Sequence, residues 1–240
     1  MSELRCALLL LLVWLCGCAK RDVPAVIAET RSGSVLHWSN SDIVLTRAPE
    51  VAGGQPPERL QAALGRAAQR WNRALGQCGA PRLLLNTEKL ERPLVQDDVI
   101  NAVILHELRW CPPGVVEPDE CYPEDLTGRT HLYPRLAPGH RDDGEIAGAD
   151  VELNGVRGTL DERSLEASLM HELGHVLGLD HPCGPNSQSQ SSRRKVTPCQ
   201  GEALERQVMH PTWAARPHGD DLNPSAAEVE AVCAVYAVRP

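Results

Sequence analysis

The 240-residue chain has no phenylalanine and only three tyrosines, yet 42% of its residues are apolar. That apolar share is enough for the core of one domain, and the composition excludes fibrous and low-complexity proteins. A positive charge excess is also missing, because 24 Lys and Arg face 32 Asp and Glu, for a net charge of -8. The basic residues are scattered among the acids, which argues against the broad basic surface of a nucleic-acid binder. We find no internal repeat and expect a monomer with no nucleic-acid partner.

The N-terminus lacks an apolar run long enough to cross a membrane. Residues 7–15 form an unbroken apolar run, which as a helix rises only about 14 Å, roughly half of a bilayer core. Such a run after a weakly positive start is typical of the hydrophobic part of a signal peptide. We therefore predict an exported protein whose signal peptide comprises residues 1–17.

Residues 15–18, Leu-Cys-Gly-Cys, resemble a bacterial lipobox, in which a cysteine is acylated and becomes the mature N-terminus. The resemblance implies a lipid on Cys18, which would anchor the protein to a membrane of the cell envelope or surface without a transmembrane helix. Residues 18–34 are polar and contain Pro24. This composition predicts a tether between the N-terminus and the domain that follows. The alternative is ordinary cleavage near Ala19 and a freely secreted protein.

The nine cysteines are too many for a typical cytosolic protein, and an odd number cannot all pair within one chain. Three of them lie within residues 1–18. The remaining six permit three disulfides with fifteen formal connectivities: Cys78, Cys111, Cys121, Cys183, Cys199 and Cys233. This even set agrees with export.

The rest of the chain alternates between strand and helix patterns. Short apolar or β-branched segments predict strands at residues 35–38, 43–46, 83–85, 99–105, 129–133 and 149–154. Helices are predicted at residues 58–75, where apolar residues recur every three or four positions, at 161–178, and after a capping box at 225–228. The proline- and acid-rich region 110–148 predicts a long ordered loop. Interleaved strands and helices favour an α/β or α+β fold.

The second helix carries the sequence HELGHVLGLDH at residues 171–181. His171 and His175 lie four residues apart and project from one helix face, with Glu172 beside them. If the helix ends at Gly178, where glycine adopts a left-handed conformation without strain, the chain can turn back to present His181. Three histidines leave a fourth coordination position for water, as in a catalytic zinc site.

This pattern predicts hydrolysis of peptide bonds with one catalytic Zn²⁺. Zinc lowers the pKa of bound water toward ~7, and Glu172 would take the proton as hydroxide attacks a carbonyl carbon and return it to the leaving amine. One alternative is a non-catalytic surface lipoprotein with a structural zinc site, although such a site would not require Glu172. Another alternative is hydrolysis of a non-peptide amide, which the same chemistry permits.

Residues 171–181 resemble the zinc signature of the metzincins, and residues 208–211, Val-Met-His-Pro, resemble the methionine turn beneath the metal in that clan. The similarity is closest to the matrixins, the matrix-metalloproteinase-like group with bacterial relatives. The resemblance implies zinc ligands at His171, His175 and His181. It also implies Glu172 as the catalytic base and Met209 as the hydrophobic floor under the metal.

The resemblance further implies an α+β metzincin-like catalytic domain at residues 35–240. An upper subdomain (35–178) would hold a twisted, mostly parallel sheet with two long helices, and a lower subdomain (179–240) would end in a helix. A peptide or protein substrate would bind in the cleft between them and pair with an edge strand near residues 129–133. Two prolines do not jointly match one metzincin subfamily. A proline directly after the third histidine, as at Pro182, is seen in serralysin-like proteases, whereas a proline two residues after the methionine, as at Pro211, is seen in matrixins. No cysteine-switch propeptide is present, and we expect Cys78 to be structural.

In the resembled fold, the loop between the third histidine and the methionine turn shapes the pocket for the side chain after the cut bond. We expect a Cys183–Cys199 disulfide to close this loop. Cys111–Cys121 is the second expected pair, which leaves Cys78 to pair with Cys233. The other connectivities stay open. The basic residues 193–195 in this loop could favour acidic substrates, although short charge runs are usually only solvated.

The resemblance also permits a second, structural metal, Ca²⁺ or Zn²⁺, in the long loop. The candidate ligands are His131, His140, Asp142, Asp143 and Glu145. The alternative is that these acids, which lie beside glycine, form turns.

Overall fold

The structure, a computed structural model, describes residues 24–96, 98–115, 117–156, 160–184, 198–212 and 221–237. Its elements in chain order are β1 (Val26–Ile27), β2 (Asp42–Arg47), α1 (Glu58–Leu75), β3 (Arg82–Leu85), β4 (Asn101–His106), a 3₁₀ turn (Pro118–Glu120), β5 (Gly128–Pro134), β6 (Ile146–Asn154), α2 (Glu162–Val176), β7 (Leu179–Asp180), α3 (Glu202–Glu205) and α4 (Ala226–Ala237). The predicted mixed α/β class is confirmed.

Five strands form the main sheet in the order β3-β2-β4-β6-β5. The first four are parallel, and β5 runs antiparallel to β6 at one edge. Every residue of β4 is buried, as expected for a central strand of a parallel sheet covered on both faces. The mostly parallel sheet and the strand predicted near residues 129–133 are therefore both confirmed.

The helices α1 and α2 form the main core together with one face of the sheet. Helix α1 has the predicted bounds and buries the predicted face, including Leu60, Leu64 and Trp71. Trp71 Nε1 donates a hydrogen bond to the Met170 backbone oxygen at 2.9 Å, which joins the two helices. Asp161 caps the start of α2 by accepting a hydrogen bond from Ser164 N at 2.7 Å.

The region before β2 differs from its prediction. Residues 35–38 do not form a strand, because only isolated bridges join Glu29 to Val35 and His37 to Glu145. Of the expected tether at residues 18–34, the structure describes residues 24–34. This part is folded, because β1 pairs antiparallel with β7 and Ile27 packs against the core. The signal peptide and Cys18 lie outside the described residues. Within the described ranges, no helix is long and apolar enough to span a membrane.

Three disulfides in the described part of the chain connect the loops to this framework, in the pairing expected from the sequence. They are Cys78–Cys233, Cys111–Cys121 and Cys183–Cys199. The first ties the end of α1 to α4, near the point where Trp38 N donates a hydrogen bond to the Tyr236 hydroxyl oxygen at 3.2 Å. The disulfide and this hydrogen bond thus attach α4 to the rest of the core.

Candidate metal centre

Helix α2 and the turn after it bring three histidines together. His171 and His175 lie one helical turn apart, and their ring centroids are 5.0 Å apart. The helix ends at Val176, Gly178 adopts a φ of 92°, and the chain then enters β7 and reaches His181. Side chains at position 178 would be strained in that left-handed conformation. The turn thus places the third ring within 5.1 Å of the first, measured between centroids.

The Nε2 atoms of the three rings face one another. His181 Nε2 lies 3.0 Å from that of His171 and 3.2 Å from that of His175. The Nδ1 atoms of His171 and His175 face the backbone oxygens of Val208 and Leu179, at 2.6 and 2.9 Å. Because a carbonyl oxygen only accepts, each of these Nδ1 atoms carries a hydrogen, and in the neutral ring its Nε2 presents a lone pair. His181 can donate to only one of them, which leaves lone pairs facing each other.

A cation between the three nitrogens resolves this conflict. Burial lowers the pKa of His171 to about 3 and that of His181 to about 2, and repulsion between the rings lowers them further. His171 and His181 are therefore neutral, as metal ligands must be. Ligands of a tetrahedral zinc ion, at about 2.0–2.1 Å from the metal, lie about 3.3 Å from one another, close to the spacing of these nitrogens. The donor set fits a zinc ion with three protein ligands and one open position.

Glu172 lies beside these ligands and is buried, with 4% of its surface exposed. Thr130 Oγ1, on β5, donates a hydrogen bond to Glu172 Oε2 at 2.7 Å. Burial raises the pKa of the Glu172 carboxyl above its ordinary value, although His175 and the Thr130 hydroxyl oppose the shift. The neighbouring Gly128 backbone lies against the same carboxyl, since a Cβ there would be 2.7 Å from Oε1.

Met209 is completely buried next to α2. A Cβ at Gly174 would overlap with Met209 Sδ, so this glycine makes room for the sulfur. Met209 N donates to Glu228 Oε1 at 2.7 Å, while Glu228 Oε2 accepts from Ser225 N at 2.7 Å. The predicted capping box of α4 is therefore present, and its glutamate also holds the turn that contains Met209.

A second buried cluster surrounds Glu152, in β6. Its carboxylate accepts hydrogen bonds from His106 Nε2 at 2.8 Å, the Tyr122 hydroxyl at 2.8 Å and His131 Nε2 at 3.2 Å. Burial alone would raise the pKa of Glu152, but these donors outweigh it and hold the pKa at about 2. The cluster joins β4, β5 and β6 close to the strand segment that carries Thr130.

The candidate ligands for a second metal do not meet in the described part of the chain. His131 contacts Glu152, Asp143 accepts hydrogen bonds from two serine hydroxyls, and Glu145 accepts one from Ser39. Only His140 and Asp142 lie together. Another group of close ligand atoms consists of Cys183, Cys199 and His210, but its two sulfurs form a disulfide and are not available as thiolates.

Several residues that contact the site were not predicted from the sequence. Thr130 lies in the strand predicted at residues 129–133, and Gly128 lies one residue before the predicted bounds. The resemblance placed this strand beside the substrate, but it did not indicate that these two residues contact Glu172. Glu228 was visible only as part of a capping box, and Glu152 only as a polar residue in an alternating strand. The basic residues 193–195 lie outside the described residues.

Comparisons with known proteins add no family assignment. A scan against protein-family models gives no match, and a search of curated proteins finds no significant similarity.

Proposed function

We propose that this chain is a zinc-dependent endopeptidase of the metzincin type, similar to the matrixins. The observation that carries the proposal is the convergence of three histidine Nε2 atoms on one point, with the buried Glu172 next to them in α2. A structural zinc site is more often closed by a fourth protein ligand and needs no carboxylate beside it. The buried Met209, packed against Gly174, supports the similarity to the methionine turn.

The residues of the site have separate roles in the proposed reaction. His171, His175 and His181 would hold the ion through Nε2. A zinc ion held there would supply a Lewis acid that lowers the pKa of water and polarises a carbonyl group. Glu172 Oε2 is occupied by the Thr130 hydroxyl, which leaves Oε1 to take the proton from the attacking water and pass it to the leaving amine.

The edge strand β5 supports a peptide as the substrate. It is the last strand of the sheet and, among the described residues, pairs only with β6. Its other edge can therefore accept an extended peptide through backbone hydrogen bonds. Because β5 also carries Thr130, a peptide bound there would lie close to Glu172. This arrangement favours peptide bonds over other amides.

The three disulfides support the proposal that the protein is exported, because such bonds persist in oxidising compartments. We further propose that Cys18 carries a lipid and attaches the protein to a membrane. Intact-mass analysis of the membrane-fractionated protein tests this point: an acylated N-terminus at Cys18 supports it. An unmodified N-terminus at Ala19 or beyond would reject it.

Cleavage of a panel of unfolded proteins by the zinc-loaded chain tests the proposed activity. We expect Glu172→Gln to lower the cleavage rate by about a hundredfold or more while zinc stays bound, since general acid–base catalysis contributes at least that much. Glu162→Gln, in the exposed first turn of α2, is the matched control and keeps the wild-type rate.

Two outcomes would reject the proposal. If the zinc-loaded wild type cuts no protein that Glu172→Gln leaves intact, the site is not a peptidase and the non-catalytic zinc-binding lipoprotein is favoured. If it cuts only small non-peptide amides, the reaction class is right and the substrate class is wrong.

A further inference from the structure

Strand β5 presents two residues to the Glu172 carboxyl, one that donates a hydrogen bond and one that has no side chain. We infer that Thr130 is a positioning residue, which holds Glu172 in the orientation needed for proton transfer, and that Gly128 provides the space in which the carboxyl lies. The role in proton transfer rests on the proposed peptidase function, whereas the positioning of the side chain does not.

Thr130 restricts a side chain that would otherwise rotate. A glutamate has three side-chain torsions, and fixing its carboxyl requires a partner that is itself fixed. Thr130 Oγ1 lies 2.7 Å from Glu172 Oε2 and 3.2 Å from the Glu172 backbone oxygen. The shorter contact is to the carboxylate, and hydrogen bonds to ionised groups are the stronger ones. The hydroxyl therefore holds Oε2 and leaves Oε1 for the reaction.

The strand that carries this hydroxyl is itself held firmly. Thr130 pairs with Val151 of β6, and two residues that follow it in the strand have side-chain anchors. His131 Nε2 lies 3.2 Å from Glu152 Oε1, and the Tyr133 hydroxyl donates to Asp150 at 2.9 Å. Because threonine is branched at Cβ, its hydroxyl has little rotational freedom once the backbone is fixed. Sheet and helix are thus linked through the Thr130–Glu172 hydrogen bond.

Gly128 matters because of the space it leaves. A Cβ at this position would lie 2.7 Å from Glu172 Oε1, 3.0 Å from Cγ and 3.1 Å from Cδ. Glu172 is buried and cannot move into solvent, so a methyl group there would displace its carboxyl. The backbone of Gly128 lies outside the left-handed region, which means that alanine is tolerated conformationally and its effect is steric.

Three variants separate these roles. Thr130→Val keeps the shape and the β-branch but removes the donor, Thr130→Ser keeps the donor, and Gly128→Ala adds one methyl group beside the carboxyl. Thr46→Val is the matched control. Its hydroxyl lies in β2, which β4 and β6 separate from β5, and it accepts a hydrogen bond from Asn86 Nδ2 at 3.4 Å. Zinc content and thermal unfolding are measured for each variant, to verify that the chain is folded and loaded.

The kinetic readout is the split between kcat and KM for a peptide that the wild type cleaves. We expect Thr130→Val to lower kcat by about tenfold or more, the size expected for losing one hydrogen bond to a charged group. KM should change by less than about twofold, since the hydroxyl contacts Glu172 and interactions lost only in the transition state lower kcat. Thr130→Ser should restore most of kcat. Equal losses in the serine and valine variants would overturn the inference.

A structural readout decides the inference even without activity. In crystal structures of the full chain as purified, the Glu172 side chain should keep one conformation in the wild type and in Thr130→Ser. It should be displaced or occupy several conformations in Thr130→Val and Gly128→Ala. An unchanged Glu172 in both of these variants would overturn the inference. If the wild type cleaves no peptide but Glu172 moves as expected, the proposed function fails and the positioning role stands.

Discussion

Gly174 lies inside α2, where replacing it with alanine has two opposing effects. Alanine is about 1 kcal/mol more favourable than glycine within a helix. The new Cβ, however, would overlap with Met209 Sδ and lie 3.3 Å from Trp71 Cζ2. Both neighbours are fully buried, and overpacking of such a core costs about 1–3 kcal/mol. Because the helix gain offsets about 1 kcal/mol of this cost, we expect Gly174→Ala to lower the free energy of unfolding by up to about 2 kcal/mol. It should also weaken zinc binding, because the methionine turn holds His171 through the Val208 backbone oxygen.

Gly65→Ala in α1 is the matched control for this prediction. The nearest atom to a Cβ at that position is Leu85 Cδ2 at 3.8 Å, an ordinary contact. This variant should therefore gain about 0.5–1 kcal/mol of stability. Urea denaturation of the oxidised, metal-free chain, followed by circular dichroism, measures both variants, and competition with a zinc chelator measures the affinity.

A double-mutant cycle identifies the cause of the loss. Met209→Ala removes the sulfur that the new methyl group meets, so the double variant should be more stable than the sum of the single changes predicts, by about 0.5–3 kcal/mol. If Gly174→Ala is as stable as Gly65→Ala, or if the cycle shows no coupling, the packing argument is refuted.

Three further predictions concern the framework of the site. Glu228→Gln should lower the free energy of unfolding by about 1–3 kcal/mol in urea, because its amide group would face one of the two backbone N–H donors of the carboxylate; unchanged stability would contradict this. Glu152 stabilises the fold above the ordinary glutamate pKa of 4.5, and this contribution is lost as pH falls toward its folded pKa of about 2. Melting temperatures across this range should therefore fall more steeply for the wild type than for Glu152→Gln, and parallel curves would refute the assignment. Replacing Cys78 and Cys233 with alanine should cost about 5 kcal/mol, because this cross-link spans 155 residues, against about 3 kcal/mol for the disulfide that spans 10. The opposite order would contradict this loop-entropy argument.

Local signals explain which parts of the fold were predictable from the sequence. Helix α1 has the predicted bounds because its apolar period and the prolines and glycines around it act within a few residues. The capping box at Ser225 and Glu228 is equally local. A strand needs a partner, and in the described ranges residues 35–38 form only single bridges, to Glu29 and Glu145. Their composition could not reveal that.

The candidate site also has residues that local signals predict and residues that they do not. The three histidines follow from spacing along one helix and a glycine turn, so the sequence was sufficient to predict that they lie together. Thr130 reaches Glu172 only because β5 packs against α2. Likewise, Glu152 is buried only because donors from β4, β5 and the Tyr122 loop surround it. Contacts of this kind depend on the order of strands in the sheet, which periodicity does not specify.

The central claim is that the three histidine nitrogens hold one zinc ion. Native mass spectrometry of the oxidised chain, with zinc at equal concentration, tests it most directly. We predict one zinc ion per chain in the wild type and in Glu172→Gln, and none in His181→Ala, which removes the ligand supplied by the turn after Gly178. A wild type that binds no zinc, or a His181→Ala variant that still binds one ion, would contradict the claim.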